Sequence, residues 1–482
     1  MDAGATLRRT RGLALALLAT GSVGQGLTAQ DASADYTEPY QRKALEIYRT
    51  AIGFRTAAGH GQVPALARYL AGEFRAGGFP AEDVHLLPQT MPGGEETASL
   101  VVRYRGDGSS GLDPVLLIAH MDVVDALPED WERDPFTLIE EDGYFFGRGT
   151  LDDKFGVTTL TATFLRLKAA GWVPTRDLII GFTGDEETGM LTTRGLVTTH
   201  RPLTDAEFAL NADAGGGSVG RAGEGIAYHI QTSEKTYATF DFTVRNPGGH
   251  SSLPRQDNAI YELAAALRRL EAFRFPVMTN ATTLRYFEES ARVTDGEVGA
   301  AMRRFAEDPS DAEAADVLAE DPANVGITRT TCVATMLGGG HAENALPQTA
   351  TATVNCRIFP GVSVAEVEAT LREVADDDRV EIQVRGDPSA SAASTLRDDV
   401  LSAVAAAVES RFPGTAIIPY MAPYGTDGRE VRNAGIPTYG VMGLFMRDEE
   451  IFAHGLNERV PVRAFFGALE HWYTILNELA GR

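Results

Sequence analysis

Short polar motifs punctuate the chain, and each follows an apolar run. His120-Met121-Asp122 comes directly after residues 115–119 (VLLIA). On an extended segment, residues two apart share a face, so His120 and Asp122 can serve one site. A carboxylate there is placed to accept the second imidazole N–H of a ligating histidine. Gly147-Arg148-Gly149-Thr150-Leu151-Asp152-Asp153-Lys154 then opens a helix. Its glycines permit close approach of backbone, and its paired acids would otherwise be only an N-cap and a first-turn charge. Residues 178–182 (LIIGF) run into Thr183-Gly184-Asp185-Glu186-Glu187-Thr188-Gly189. Adjacent acids at the end of a buried strand are costly unless cations neutralise them. Asn211-Ala212-Asp213 offers another strand-end carboxylate, and Ala453-His454-Gly455-Leu456-Asn457-Glu458 a second histidine.

Imidazole and carboxylate without thiolate suit zinc, and also cobalt or manganese. Two divalent ions bridged by one carboxylate and one water account for the number of acids. Such ions sit about 3.5–4 Å apart and bring the bound water's pKa towards about 7. Glu186 and Glu187 diverge as neighbours on a strand end, so one can face metal and the other water.

These residues need a scaffold that gathers strand ends. Residues 115–119 and 178–182 are unbroken apolar runs, as expected of strands buried on both faces, with a helix over 155–170 between them. Helices are also expected over 40–52 and 63–76, the second stopped by Gly77-Gly78-Phe79-Pro80. Strand–helix alternation implies an α/β fold with a mainly parallel sheet, whose site lies at the strand C-termini. Residues 228–246 and 330–359 alternate instead, with helices over 258–273 and about 296–319, which reads as an antiparallel α+β unit. Strand–helix alternation resumes after Pro360 and ends in a helix over about 462–479. The expected organisation is therefore a catalytic domain in two parts, 36–228 and 360–482, interrupted by an inserted lid at 229–359.

The order H-x-D, G-R-G-T-x-D-D-K, D-E-E-T-G, strand-end Asp and late H-G-x-N-E resembles the co-catalytic zinc exopeptidases. That family contains aminoacylases, bacterial glutamate carboxypeptidases, dipeptidases and carboxypeptidase S. The likeness runs from about residue 40 to 480. It implies a zinc domain with an inserted lid that often mediates dimerisation. It also implies that His120, Asp152 and Asp213 hold one metal, and that Asp152, Glu187 and His454 hold the other. Glu186 would be the general base, Asp153 a support for the bridging acid, and Asp122 the group that orients His120. In Asn246-Pro247-Gly248-Gly249-His250-Ser251-Ser252, His250 would stabilise the oxyanion, frequently in the partner subunit's site. Asn344 and Arg357 resemble contacts to the substrate carboxylate, a task that suits the planar fork of arginine. Gly425, in Gly425-Thr426-Asp427-Gly428, resembles part of a late substrate loop. Asp213 stands where some members have Glu, and Ala214-Gly215-Gly216-Gly217 favours the carboxypeptidase S-like branch. Residues 282–323 add an acidic helical stretch to a minimal lid, free to cover the cleft or alter a dimer contact. His60, His85, His200, His229 and His471 match no motif and read as structural or surface.

The implied activity is hydrolysis of an amide next to a free carboxylate, in a peptide or an N-acyl amino acid. A non-catalytic binding protein on the same scaffold is the alternative, and intact Glu186 argues against it. A glycosidase's carboxylate pair would leave His120 and His454 without a task. The balance of 43 Lys+Arg against 67 Asp+Glu, a formal charge of −24, disfavours nucleic acid and anionic membranes as partners. Arg8, Arg9 and Arg11, the apolar run 13–19 and the small and polar residues up to Ala29-Gln30-Asp31 have the order of a secretory signal over 1–30. The mature chain is therefore expected to be periplasmic or secreted, though the residues after Arg8-Arg9 match a twin-arginine signal poorly. Export would allow Cys332 and Cys356, on neighbouring β-rich stretches, to pair, but their register cannot be read.

Overall fold

The computed structural model describes residues 37–482 apart from Ser391; the expected signal, residues 1–30, lies outside the described residues. A ten-stranded sheet, parallel at its centre, organises them. Val115–His120 pairs in parallel with Leu178–Thr183 on one side and Phe208–Asn211 on the other. All three are buried along their length, which explains why their sequences do not alternate. Helix Lys154–Ala169 packs on the strand Val115–His120, with helices Pro39–Ile52 and Val462–Ala480 packed on it in turn. Asp153 caps it by accepting the Gly156 N–H at 3.0 Å. Among the described residues no helix is long and apolar enough to cross a membrane.

The inserted unit is a second, four-stranded antiparallel sheet in the order Thr331–Gly339, Thr349–Ile358, Thr236–Arg245, Val380–Arg385. Helices Ala259–Ala272 and Val364–Ala375 pack together against it. The chain order is β-α-β-β-α-β, a split βαβ arrangement. Its limits differ from the expected 229–359 at both ends. Gly225–Glu234 belongs to the large sheet, where it pairs with Ala416–Ala422, and the chain crosses into the lid at Lys235. Gln231, Thr232, Ser233 and Glu234 are fully buried, so their polarity mimicked a wet face that does not exist. At the other end, Val380–Arg385 pairs with Thr236–Arg245. The strand–helix–strand order after residue 349 is a crossover inside the lid, which sequence alternation cannot distinguish from a return to the catalytic sheet.

Four helices, Ala281–Ser290, Gly296–Glu307, Ala312–Ala319 and Pro322–Thr328, are inserted in the lid's first crossover. Asn280 and Asp311 cap the first and third by accepting backbone N–H groups at their starts. Phe287, Phe305 and Leu318 give the insert a small core of its own. Its first helix packs against the large-sheet strand Ala416–Ala422, so the insert rests on the catalytic sheet.

Cys332 and Cys356 face each other in the register of adjacent lid strands and are disulfide-bonded. The bond crosslinks an edge strand to its neighbour across 24 residues of sequence. Replacing both cysteines by alanine should therefore cost about 2–4 kcal/mol, read as a lower Tm without reductant. A Tm unchanged by that substitution, or free thiols in the purified protein, would contradict the crosslink.

Candidate metal centre

The strand ends converge on one point. His120 closes its strand and is 1% exposed. Its Nδ1 donates to the Asp122 carbonyl at 3.0 Å, which fixes the tautomer that leaves Nε2 free to bind a cation. Nε2 lies 2.9 Å from Asp152 Oδ1 and 3.6 Å from Asp213 Oδ1. The second oxygen of Asp152 lies 3.0 Å from His454 Nε2, itself 2.9 Å from Glu187 Oε1. Ligand atoms held about 2.0–2.1 Å from a tetrahedral ion are about 3.3 Å apart. The observed spacings fit that donor set.

His120 and Asp213 also gather with Asp153, and His120 with Glu186 and Glu187, within 4.8 Å. Asp153 is already engaged, for its oxygens accept from the Gly156 and His120 backbone N–H groups at 3.0 and 3.3 Å. The Asp152–Asp153 peptide is cis.

Asp122 acts differently from the sequence expectation. Its carbonyl, rather than its carboxylate, takes the His120 hydrogen bond; the carboxylate is 3.6 Å from Nδ1. The carboxylate instead accepts the backbone N–H groups of Glu186 and Glu187 at 3.1 and 3.0 Å. Those two amides begin a turn and have no ladder partner, so a buried acceptor is what holds the turn in place.

Glu458 performs the same service for Asp152. It is fully buried and accepts from the Leu151 and Asp152 N–H groups at 2.7 and 3.2 Å, and from Arg148 Nη1 at 2.5 Å. Arg148 also donates to the His454 carbonyl at 3.1 Å. Sequence reasoning gave neither residue a role, although both stood inside the motifs; their burial was the missing signal. Gly149 has φ +86°, and a Cβ there would meet Lys154 and Val123 at 3.0 Å. The turn therefore requires glycine.

Charge crowding dominates the electrostatics. Burial, reinforced by Asp152, pushes Asp213 up to about 7. Burial likewise holds Glu186 well above the carboxylate range, with Asp213, Asp427 and Glu187 adding to it against the pull of His120. Hydrogen bonds to Asp152 and Glu187 raise His454 to about 10. Burial disfavours the charge of Asp152, yet hydrogen bonds from His120 and His454 hold it below the usual range. Without cations the cluster keeps protons; divalent ions would replace them.

The centre opens into a cleft of about 740 Å³ lined by Asp152, Glu186, Glu187, Asp213 and His454. Gly425 lines it too, with Thr426 tied to the buried Glu234 by hydrogen bonds of 2.8 and 2.7 Å. His229, expected to be structural or surface, is also a wall of the cleft, its ring 5.7 Å from that of Tyr420. Gly215 has φ +86° where a Cβ would lie 2.5 Å from the Gly440 carbonyl oxygen, so this wall also demands glycine. Arg357 sits beside the cleft, donating to the Pro423 carbonyl at 2.9 Å. His250 and Asn344 are not brought to it. Both are exposed at a two-stranded ribbon of the lid, where His250 Nδ1 accepts from the Ser252 hydroxyl at 2.7 Å.

Residues 116–478 match the model of peptidase family M20/M25/M40. The chain belongs to that family. It is 32% identical over 363 residues to the N-fatty-acyl-amino acid synthase/hydrolase PM20D1 of Xenopus tropicalis, covering 73% of this chain and 69% of the relative. Identity to a probable carboxypeptidase S-like protein of Dictyostelium discoideum is 27% over 399 residues, covering 78% and 74%. The fold is that of the M20 metallo-carboxypeptidase Sso-CP2 of Sulfolobus solfataricus, with TM-score 0.67 at 18% identity over 91% of this chain and 99% of that one. This M20 protein is a metal-dependent hydrolase of carbon–nitrogen bonds, of the peptidase and N-acyl amino acid hydrolase type.

The buried Glu458 holds the backbone of Asp152, whose two oxygens face His120 and His454. Glu458→Gln should weaken metal binding by about 10–100-fold, measured by titrating divalent ions into the stripped protein. Unaltered affinity would deny Glu458 that task.

Proposed function

We propose that the protein hydrolyses the amide of an N-acyl amino acid, next to a free carboxylate, with two divalent ions bound in the cluster. Zinc is the favoured metal, with cobalt and manganese as the other candidates for these donors. One observation carries the reading: the two oxygens of Asp152 face different histidines, His120 and His454, and so offer one ligand to each of two sites. Asp213 completes the first set and Glu187 the second. Bound there, the ions supply Lewis acidity and lower the pKa of a coordinated water to about 7.

The chain's own residues do the remainder. Glu186 lines the cleft and belongs to neither ligand set, so it accepts the proton of the attacking water and delivers it to the departing amine nitrogen. Asp122 fixes the backbone of that turn and thereby the direction of Glu186. Arg357, with its fork beside the cleft wall, pairs with the substrate carboxylate, assisted by the Gly425 loop. The acyl reading is preferred over a dipeptide because of the named activity of the Xenopus relative. The carboxypeptidase S-like relative supports a peptide substrate as the second reading.

His250 supports a further element of the proposal, that the working unit is a homodimer. The lid's edge strand Thr331–Gly339 exposes Val333, Met336 and Leu337, and its outer backbone edge has no strand paired to it among the described residues. A second copy pairing there covers that edge. Each lid would then present His250 as an oxyanion donor to the other subunit's cleft. The basic and apolar order of residues 1–30 supports export to the periplasm or beyond.

Glu186→Gln should retain its metal by elemental analysis and lose about 100- to 10,000-fold in kcat. Turnover at the wild-type rate would remove Glu186 as the base. Mixing inactive Glu186→Gln with His250→Ala, after subunit exchange, should restore activity, since a mixed dimer keeps one complete site. No recovery, with dimers present by sedimentation, would place His250 outside the reaction.

A further inference from the structure

The cleft that gathers the acidic cluster is also lined by a lysine. Lys235 stands where the chain passes from the large sheet into the lid, and it is 3% exposed. A buried cation is costly unless a partner compensates its charge. Among the described residues neither Lys235 nor Arg357 is paired with a carboxylate; the charged group that bears on Lys235 is Arg357 itself. Resting on the reading of an amide next to a free carboxylate, we propose that Lys235 is the second cation of the carboxylate subsite, binding the substrate's carboxylate together with Arg357.

The ammonium has a proton to spare. Two of its three go to the Gly326 and Arg329 carbonyls, at 2.9 and 2.8 Å. The third finds only the Thr331 hydroxyl, at 3.5 Å, a long contact. Thr331 is paired with Arg357 in the register of adjacent lid strands, so Lys235 and Arg357 meet the same stretch of the lid. Both are also tied to one segment of the catalytic part. The Lys235 backbone N–H donates to the Ala422 carbonyl at 3.0 Å, and Arg357 donates to that of Pro423 at 2.9 Å. Tyr424 and Gly425, the next residues, line the cleft. Burial, with Arg357 alongside, pushes Lys235 down to about 7. A carboxylate bound by the two cations relieves their repulsion and favours the charged ammonium.

The preceding residue does not supply the missing charge. Successive residues on a strand point to opposite faces, and Glu234 ends the strand Gly225–Glu234. Its carboxylate accepts from the Thr426 N–H and hydroxyl at 2.8 and 2.7 Å, and from Arg432. Glu234 thereby fixes the Gly425 loop, while Lys235 lines the cleft. Nor do two carbonyls require an ammonium, since a neutral donor such as an amide would satisfy them. The charge is left for a ligand. Arg357 offers a planar fork and Lys235 a compact point charge, a pair suited to one small anion. The same cleft contains Asp152, Glu187 and His454, so one molecule can place its amide at the acidic cluster and its carboxylate against Lys235.

The test compares N-octanoyl-leucine with N-octanoyl-leucinamide, which lacks the carboxylate, on the metal-loaded wild type, Lys235→Met and Arg357→Met. The quantity read is the ratio of kcat/KM for the acid over that for the amide. Methionine keeps the length of the lysine side chain and removes its charge. In Lys235→Met the ratio should fall by about 10- to 100-fold, the loss of one hydrogen bond to a charged group. In Arg357→Met the acid should still be preferred, by about tenfold or more, because Lys235 remains. That second variant decides the matter alone should Lys235→Met fail to fold. A Lys235→Met enzyme that slows on both substrates alike, which a purely structural lysine predicts, would overturn the proposal. So would an Arg357→Met enzyme with no preference for the acid. Both results leave the proposed activity standing. A wild type that cleaves acid and amide equally would overturn the free-carboxylate reading itself, and the task of Lys235 with it.

Discussion

Mutual repulsion among buried carboxylates is the constraint around which this structure is built. Asp152, Asp213, Glu186 and Glu187 converge on a cleft floor, where burial works against the charge of Asp213 and Glu186. Against burial, neighbouring carboxylates hold His120 and His454 above the ordinary imidazole range, so without other cations these two side chains carry the compensating charge. Divalent ions bound there would take over that compensation. Asp152 stands between His120 and His454, with one oxygen facing each.

Keeping like charges together requires a scaffold stiffer than loops normally are, and a second set of acids provides it. Asp122 holds the backbone of Glu186 and Glu187. Glu458 holds that of Asp152 and pairs with Arg148. Asp427, pushed up to about 6 by burial, is bound by the hydroxyls of Thr183 and Thr193. These residues resemble metal ligands in type but spend their lone pairs on the chain. Asp122 and Glu458 each stabilise a turn whose amides would otherwise be buried without partners.

The lid and its helical insert divide the remaining work. The lid exposes an edge strand and places His250 away from the cleft of its own chain. The insert packs onto the catalytic sheet and contributes Tyr286 and Ile327 to the cleft. The acidic character of the insert in sequence conceals this, because most of its charges face solvent while Phe287, Phe305 and Leu318 face inward.

Much of the centre was legible because ligand chemistry demands particular residue types in a particular order along strand ends. His120, Asp152, Glu187, Asp213 and His454 could be picked out in this way as one candidate set, and the structure brings these five side chains together. Asp122 does meet His120, but through its carbonyl, since sequence does not say whether a carbonyl or a carboxylate will reach an imidazole. The lid's limits were misplaced because buried polar residues, such as Gln231 to Glu234, have the pattern of exposed ones, and a crossover inside one sheet has the pattern of a return to another. The cysteine pairing, the tasks of Glu458 and His229, and the contact of the insert with the cleft were decided only by tertiary packing. Sequence records which groups are present and their local spacing; which of them meet depends on strand register and on contacts across hundreds of residues, and neither leaves a local periodic signal.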